Sequence, residues 1–292
     1  MDTITDTRPC TVVRTRDELR AAIGALRSAG RQVGFVPTMG AFHDGHLSLM
    51  RHAAADGHAV VVSLFGSPPQ FSPTEDLSAY PRDEQRDLAL AATAGVELVF
   101  APPAHEVYPD RFGTTIRVDG PTRTLEGATR PDHFAGVATV VAKLLNMVRP
   151  DRVVFGQKDA QQVAVVRRMM CDLDFDDVEL VIGPIVREAD GLAMSSRNVY
   201  LSPQERVAAL ALRRALDAAQ ATIDGGEHDP RKIERAAHSV LSAEPRCTPD
   251  YATIVHPDTF VVADNLAEPS LLCVAARIGP ARLIDNQRLT LA

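Results

Sequence analysis

The sequence is short of the features that would assign it at once to a compartment or a cofactor. Its four cysteines, Cys10, Cys171, Cys247 and Cys273, stand without C-x-x-C spacing. That argues against a zinc ribbon or a dithiol redox motif and predicts a reduced, cytoplasmic setting. The opening MDTITDTRPC lacks the basic and apolar regions of a secretory signal, and no uninterrupted apolar run is long enough to cross a bilayer, so neither export nor a membrane role is expected. Positive charge is not in excess either. A net charge of -7 over 292 residues gives no global attraction for nucleic acid or anionic lipid, and any anionic ligand must be held by a local arrangement. Neither the P-loop pattern nor G-x-G-x-x-G occurs, which removes the main support for a kinase-type or dinucleotide reading. There is no internal repeat and no low-complexity tract.

What is present is an ordinary globular composition, 45% hydrophobic and 24% charged, on a chain long enough for one large or two smaller domains. The stretch that stands out is Val33 to His46, VGFVPTMGAFHDGH. Val33, Phe35 and Val36 read as a short buried strand, Gly40 and Gly45 as tight turns of the backbone, and Leu47, Met50 and Ala54 as the apolar spacing of a helix opening near His46. A strand, a glycine loop and a helix N-terminus bring unpaired amides and the positive end of a helix dipole together. Phosphate can be held there while His43 and His46 act as donors or proton carriers. The two imidazoles have no acid or third ligand at zincin or finger spacing, so no metal site is expected from them.

Strand and helix patterns alternate around this stretch. Residues 1 to about 11 read as a loose arm, and Thr15 and Glu18 stand at capping-box spacing before a helix that stops at Gly30. Strands are expected at Ala59–Phe65, Val96–Phe100, Arg152–Phe155 and Val178–Ile182, with helices at Arg82–Ala94, His133–Val148 and Ala160–Cys171. Residues 101 to 132 read as irregular, with a short strand at Thr114–Val118 and a loop LEGATRPDHF, and GSPPQFSP is too rich in proline for helix or central strand. The alternation predicts an α/β fold, a Rossmann-like parallel sheet over residues 1–186. Beyond 187 the pattern changes. Ser202, Pro203 and Glu205 open a helix to about Asp224, a second covers Pro230–Leu241, and Tyr251–Val255, Leu271–Ile278 and Ala281–Asp285 read as strands, the last two a hairpin across Gly279 and Pro280. Residues 187–292 are therefore expected to form a smaller α+β C-terminal lid domain.

Two further loops carry chemistry. In GQKD at 156–159, Lys158 can place a compact charge on phosphate oxygens while Asp159 accepts from a ribose hydroxyl; the plain alternative is a solvated turn. In MSSR at 194–197, two hydroxyls and a guanidinium follow Gly191, a set able to close over a triphosphate and neutralise departing pyrophosphate. The alternative there is a serine-rich linker.

PTMGAFHDGH, the P-x-QF of PPQF, LEG-RP-HFAGV, GQKD-QQ and READGLAMSSRNVYL, together and in this order, resemble the pantothenate synthetase family over about residues 12 to 287. The histidine and MSSR elements alone imply only the wider HxGH nucleotidyl-transferring superfamily, and the full set narrows it. The resemblance implies a ligase that uses ATP and Mg²⁺ to activate pantoate as an acyl adenylate and passes it to β-alanine, working as a cytoplasmic homodimer. It implies that Met39, Gly40, Ala41, Phe42, His43, Asp44, Gly45 and His46 line the ATP site, with His46 as proton donor and His43 its partner on the phosphates. Gly156, Gln157, Lys158 and Asp159 would hold ribose and phosphate, Val186 would meet adenine through its backbone, and Met194, Ser195, Ser196 and Arg197 would close over the triphosphate. Gln70 and Gln162 would hold the acid's hydroxyl and carboxylate groups, with Pro37, Met39, Phe65 and Val141 around its gem-dimethyl group.

The departures concern the same places. Where the family usually has F-V-N-P, this chain has Phe65, Gly66, Ser67 and Pro68, so a hydroxyl stands where an amide is expected in the acid pocket. Gln157 replaces a glutamate beside the lysine, Ala160 replaces an aromatic and is expected to leave room near Gln162, and Phe42 replaces a leucine. An acid–amine ligase acting on a different hydroxy acid or amine, a nucleotidyltransferase that releases no AMP, and a silent nucleotide-binding paralogue are the alternatives.

Overall fold

Local signals set the first elements. Thr15 Oγ1 accepts the Glu18 N–H at 3.2 Å and the Glu18 carboxylate accepts the Thr15 N–H at 3.0 Å, the reciprocal cap that opens a helix. The computed structural model describes residues 10–70 and 83–291, so the arm before Cys10 and the second half of the proline-rich loop lie outside the described residues. In chain order the elements are β1 (Thr11–Val13), α1 (Arg16–Ser28), β2 (Val33–Thr38), α2 (Asp44–Ala53), β3 (Ala59–Leu64), α3 (Glu84–Thr93), β4 (Val96–Phe100), α4 (Ala104–Val107), α5 (Leu125–Thr129) and α6 (His133–Val148). There follow β5 (Arg152–Gly156), α7 (Ala160–Asp172), β6 (Glu179–Gly183), α8 (Pro203–Ala208), α9 (Leu210–Asp224), α10 (Pro230–Ala243), β7 (Cys247–Val255), β8 (Ser270–Ile278) and β9 (Ala281–Leu289).

The chain divides into two compact units, one of residues 1–118, 130–157 and 165–183, the other of 119–129, 158–164 and 184–292. The first holds a six-stranded sheet in the order β1-β4-β3-β2-β5-β6 with every pairing parallel. Chain order reverses across the β2–β5 pair, the switch point outside whose carboxyl ends open α/β sheets bind ligands. The loops that leave β2 and β5 are two of the three that sequence reasoning selected. Residues two apart on β2 share a face, and Gly34 and Val36 both turn toward α2: Val36 packs with Leu47 and Met50, and Gly34 lies so close that an added Cβ would sit 2.2 Å from the Ala53 carbonyl oxygen. The second unit carries the antiparallel sheet β7-β8-β9, one face of which packs Leu272, Val274 and Ala276 against Leu212, Leu216 and Ile233 of α9 and α10.

Four expectations need correction. No strand is expected before Thr15, yet Thr11–Val13 form β1, whose three residues are too few to show a period and which is defined by pairing with β4. Thr114–Val118 takes no ladder partner among the described residues; the Ile116 N–H donates instead to Thr139 Oγ1 at 2.9 Å. LEGAT within the expected loop is the short helix α5. The single helix expected to reach Asp224 is interrupted at Ala209, where no proline or glycine marks a break.

Gly34→Ala forces its methyl into a backbone carbonyl that no rotamer change can move. Overpacking of this kind costs about 1–3 kcal/mol, and chemical denaturation is expected to show the variant destabilised by that amount, with α2 displaced from β2.

Candidate active site

The loop leaving β2 turns through Gly40 at φ +93° and Ala41 at φ +55°. The turn expected of Gly45 falls there instead, since Gly45 lies in the first turn of α2. A left-handed alanine is strained and needs outside support. Support comes from Asp87 of α3, buried to 2% exposure, whose carboxylate accepts the Ala41 N–H at 2.8 Å and the Phe42 N–H at 2.7 Å. Arg86 Nη1 donates to the Phe42 carbonyl at 3.1 Å. Burial raises the Asp87 carboxyl above the usual range, against the pull of the two N–H groups. A Cβ on Gly40 would stand 2.9 Å from Asp87 Oδ2, so the loop closes this tightly only with glycine there. The amides of Ala41 and Phe42 are thus spent on a protein carboxylate, and any contact these residues make to a ligand comes from other atoms. Asp87 was missed in the sequence because an acid on a helix face is commonplace.

His43 is the N-cap of α2 and the two histidines form a capping box. His43 Nδ1 accepts the Gly45 N–H at 3.2 Å, and His46 Nδ1 accepts the His43 N–H at a longer 3.4 Å. Their ring centroids are 4.2 Å apart, and Phe42 lies 5.4 Å from His46. An N–H aimed at Nδ1 needs the lone pair there, so in the neutral ring the proton sits on Nε2. The helix start therefore carries two ring N–H groups beside the positive end of its dipole.

Among the residues expected around the acid, Phe65 and Val141 are buried at 6% and 4% exposure, and Pro37 is partly buried. Ser67 is fully buried, and its Oγ lies 2.5 Å from the Tyr108 hydroxyl. Burial pushes the Tyr108 phenol above its usual range. Gln70 ends the 3-10 turn Pro68–Gln70, and its carbonyl accepts from His133 Nδ1 at 2.8 Å and Arg130 Nη2 at 3.3 Å. Gly136 of α6 lets this turn approach, since a Cβ would lie 2.2 Å from the Pro69 carbonyl oxygen. Gly156 ends β5 and Gln157 starts the 3-10 turn Gln157–Asp159.

In the second unit, Lys158 is partly buried and Asp159 exposed, and the Lys158 carbonyl accepts from Asn286 Nδ2 at 2.9 Å. Gln162 is partly buried. Ala160 is buried and packs with Val255, Phe260, Leu271 and Cys273. The MSSR segment is no loose linker. Arg187 and Ala193 form an antiparallel bridge, the Met194 N–H donates to the Val186 carbonyl at 3.0 Å, and Ser195 Oγ accepts the Arg197 N–H at 3.2 Å, capping the 3-10 turn Ser196–Tyr200. Asn198 Nδ2 donates to Glu188 Oε1 at 2.9 Å, and Arg206 Nη2 to Glu188 Oε2 at 2.7 Å. Among the described residues there is no group of three or more His, Cys, Asp or Glu side chains able to hold a metal ion, and no helix is long and apolar enough to cross a membrane.

The family model described as pantoate-beta-alanine ligase matches residues 11–288. The chain belongs to this family. It is 51% identical over 275 residues to the pantothenate synthetase of Roseiflexus castenholzii, covering 94% of this chain and 98% of that one. With the pantothenate synthetase of Heliobacterium modesticaldum it shares 54% over 257 residues, covering 88% and 91%. The solved pantothenate synthetase of Thermus thermophilus superposes with a TM-score of 0.89 at 49% identity, covering 95% of this chain and 98% of that one. The pantoate-beta-alanine ligase of Francisella tularensis, solved in complex with beta-gamma ATP and beta-alanine, superposes with a TM-score of 0.77 at 29% identity, covering 96% and 97%. The chain is thus an amide-forming ligase of pantothenate biosynthesis, joining pantoate to β-alanine, and its architecture is the one those solved ligases share.

Asp87→Asn keeps shape but leaves one oxygen acceptor for two amides. An amide bared in the interior costs about 1–3 kcal/mol. Denaturant unfolding is expected to report that loss, and ligase turnover to fall with it as the loop before His43 loosens.

Proposed function

We propose that this ligase works in two steps, ATP first activating pantoate and β-alanine then displacing AMP. A carboxylate is a poor acceptor for an amine because oxide is a bad leaving group. In the first step a pantoate carboxylate oxygen attacks the α-phosphorus of ATP and the bond to pyrophosphate breaks. In the second the β-alanine amine attacks the acyl carbon, the amide bond forms, AMP leaves with that oxygen, and the amine gives up a proton.

The observation that carries this reading is the imidazole capping box at a helix N-terminus, in which both Nδ1 atoms accept and the proton of each neutral ring is left to Nε2. His46 then donates to the phosphates as negative charge develops, and His43 assists. Lys158, Ser195, Ser196 and Arg197 neutralise the triphosphate and departing pyrophosphate. Gly156, Gln157 and Asp159 take the ribose and phosphates, Val186 takes adenine, and Met39, Gly40, Ala41, Phe42, Asp44, Gly45 and Met194 line the nucleotide. Gln70 and Gln162 hold pantoate, with Pro37, Met39, Phe65 and Val141 against its methyl groups. Ser67, its hydroxyl committed to Tyr108, shapes the acid's surroundings through that pair. The Francisella ligase carries an ATP compound and β-alanine, which supports the same substrates here. Mg²⁺ suits a chain with no described cluster of protein ligands, because this ion is commonly held by substrate phosphates and water; when bound it neutralises phosphate charge. We also assign the chain a homodimeric, cytoplasmic state.

Pyrophosphate exchange into ATP is expected to require pantoate, and AMP release to require β-alanine as well; exchange with another hydroxy acid but not pantoate sinks this reading. His46→Ala is expected to lower exchange by about 10²–10³-fold. A chelator of divalent cations should abolish exchange and added Mg²⁺ restore it, and light scattering should give twice the 31.5 kDa chain mass.

A further inference from the structure

β9 carries a carboxylate and an amide at consecutive positions, Asp285 and Asn286, both buried. Consecutive side chains of a strand leave it on opposite faces, and here the two faces are distinct. Asp285 stands opposite Val274, on the face whose Leu272, Val274 and Ala276 pack on α9 and α10. Asn286 stands opposite Cys273, on the face where Leu271 and Cys273 meet Ala160 and Ala164.

On the first face, the Asp285 carboxylate accepts Arg187 Nη1 at 2.6 Å and Nη2 at 3.0 Å, with Asp285 only 2% exposed. Arg187 Nη1 also donates to the Gly191 carbonyl at 3.1 Å. This one carboxylate therefore fastens the bridged hairpin of residues 187–193, out of which the Met194–Arg197 segment runs, and the Ser196–Tyr200 turn itself lies against β9. On the other face, Asn286 Nδ2 donates to the Lys158 carbonyl at 2.9 Å. The Asn286 N–H donates to Asp285 Oδ1 at 2.8 Å, which ties the two anchors together. Buried polar side chains cost desolvation that aliphatic ones do not, and their partners here are both loops that carry cations.

We propose that Asp285 and Asn286 are positioning residues for the adenylation step, with β9 a common mount that fixes Lys158 from one face of its sheet and the Ser195–Arg197 segment from the other. The proposal rests on the phosphate-binding roles assigned above to Lys158 and to that segment.

The test is pantoate-dependent pyrophosphate exchange on single and double variants of the full chain. Asn286→Ala removes one hydrogen bond, and a lysine backbone set loose by a fraction of an ångström is expected to lose about tenfold in exchange kcat. The KM for β-alanine and the melting temperature are expected to change little. In a Lys158→Ala background the same substitution is expected to cost nothing further, because Asn286 acts through that residue. Asp285→Asn should raise the KM for ATP, and Asp285→Glu should recover part of it. Losses that multiply in the double variant, or a melting temperature that falls while exchange is intact, overturn the mount while leaving the role of Lys158 standing. Full exchange in Lys158→Ala itself overturns both.

Discussion

One buried carboxylate governs the geometry of the first unit. Asp87 takes the amides of Ala41 and Phe42 and so holds a left-handed alanine that would otherwise relax. This places a negative charge under the loop to which a polyanion is assigned above, which looks counterproductive until the desolvation is considered. The charge is turned inward against two N–H groups, and burial raises the carboxyl's affinity for a proton rather than projecting charge outward. What the loop gains is a defined entry into α2. The capping box of His43 and His46 depends on that entry, since an N-cap residue works only with extended backbone at the right place, here φ -141° and ψ 174°.

The second unit repeats the principle with ion pairs. Glu126 of α5 accepts both Nη atoms of Arg282 and the Tyr251 hydroxyl, and Gln161 donates to the Pro121 and Thr124 carbonyls at 2.7 and 2.8 Å. These contacts attach residues 119–129 to β9 and to the start of α7. Buried ion pairs are weak sources of net stability, because desolvation offsets attraction. Their use here is directional. A Leu–Val contact would hold α5 somewhere on the sheet, whereas a two-pronged guanidinium holds it at one register.

Much of the fold was legible because apolar runs and caps are local. AVVVSLF could only be a strand covered on both faces, and Thr15/Glu18 and Ser202/Glu205 both formed the reciprocal caps their spacing implied. The histidines, GQKD and MSSR were legible as family motifs through their joint order along the chain, which the match over residues 11–288 bears out. The partners of these groups were not legible. Asp87 lies 46 residues from Ala41, Tyr108 41 residues from Ser67, and Asn286 128 residues from Lys158, and no spacing rule spans such separations. The same limit explains the extended stretch at Thr114–Val118. Its β-branched residues suggested a strand, but a strand is defined by its neighbour.

By itself, then, the sequence determined the alternation of elements, the parallel character of the first sheet, the caps, and the motifs that mark the family. Each of those follows from residues within a few positions of one another. Tertiary structure alone decided which amides of the β2 loop are already taken, which histidine nitrogens accept at the helix start, and which strand anchors the cation-bearing loops of the second unit. Those are questions of who occupies a hydrogen-bonding group, and the occupant is brought by the fold from far along the chain.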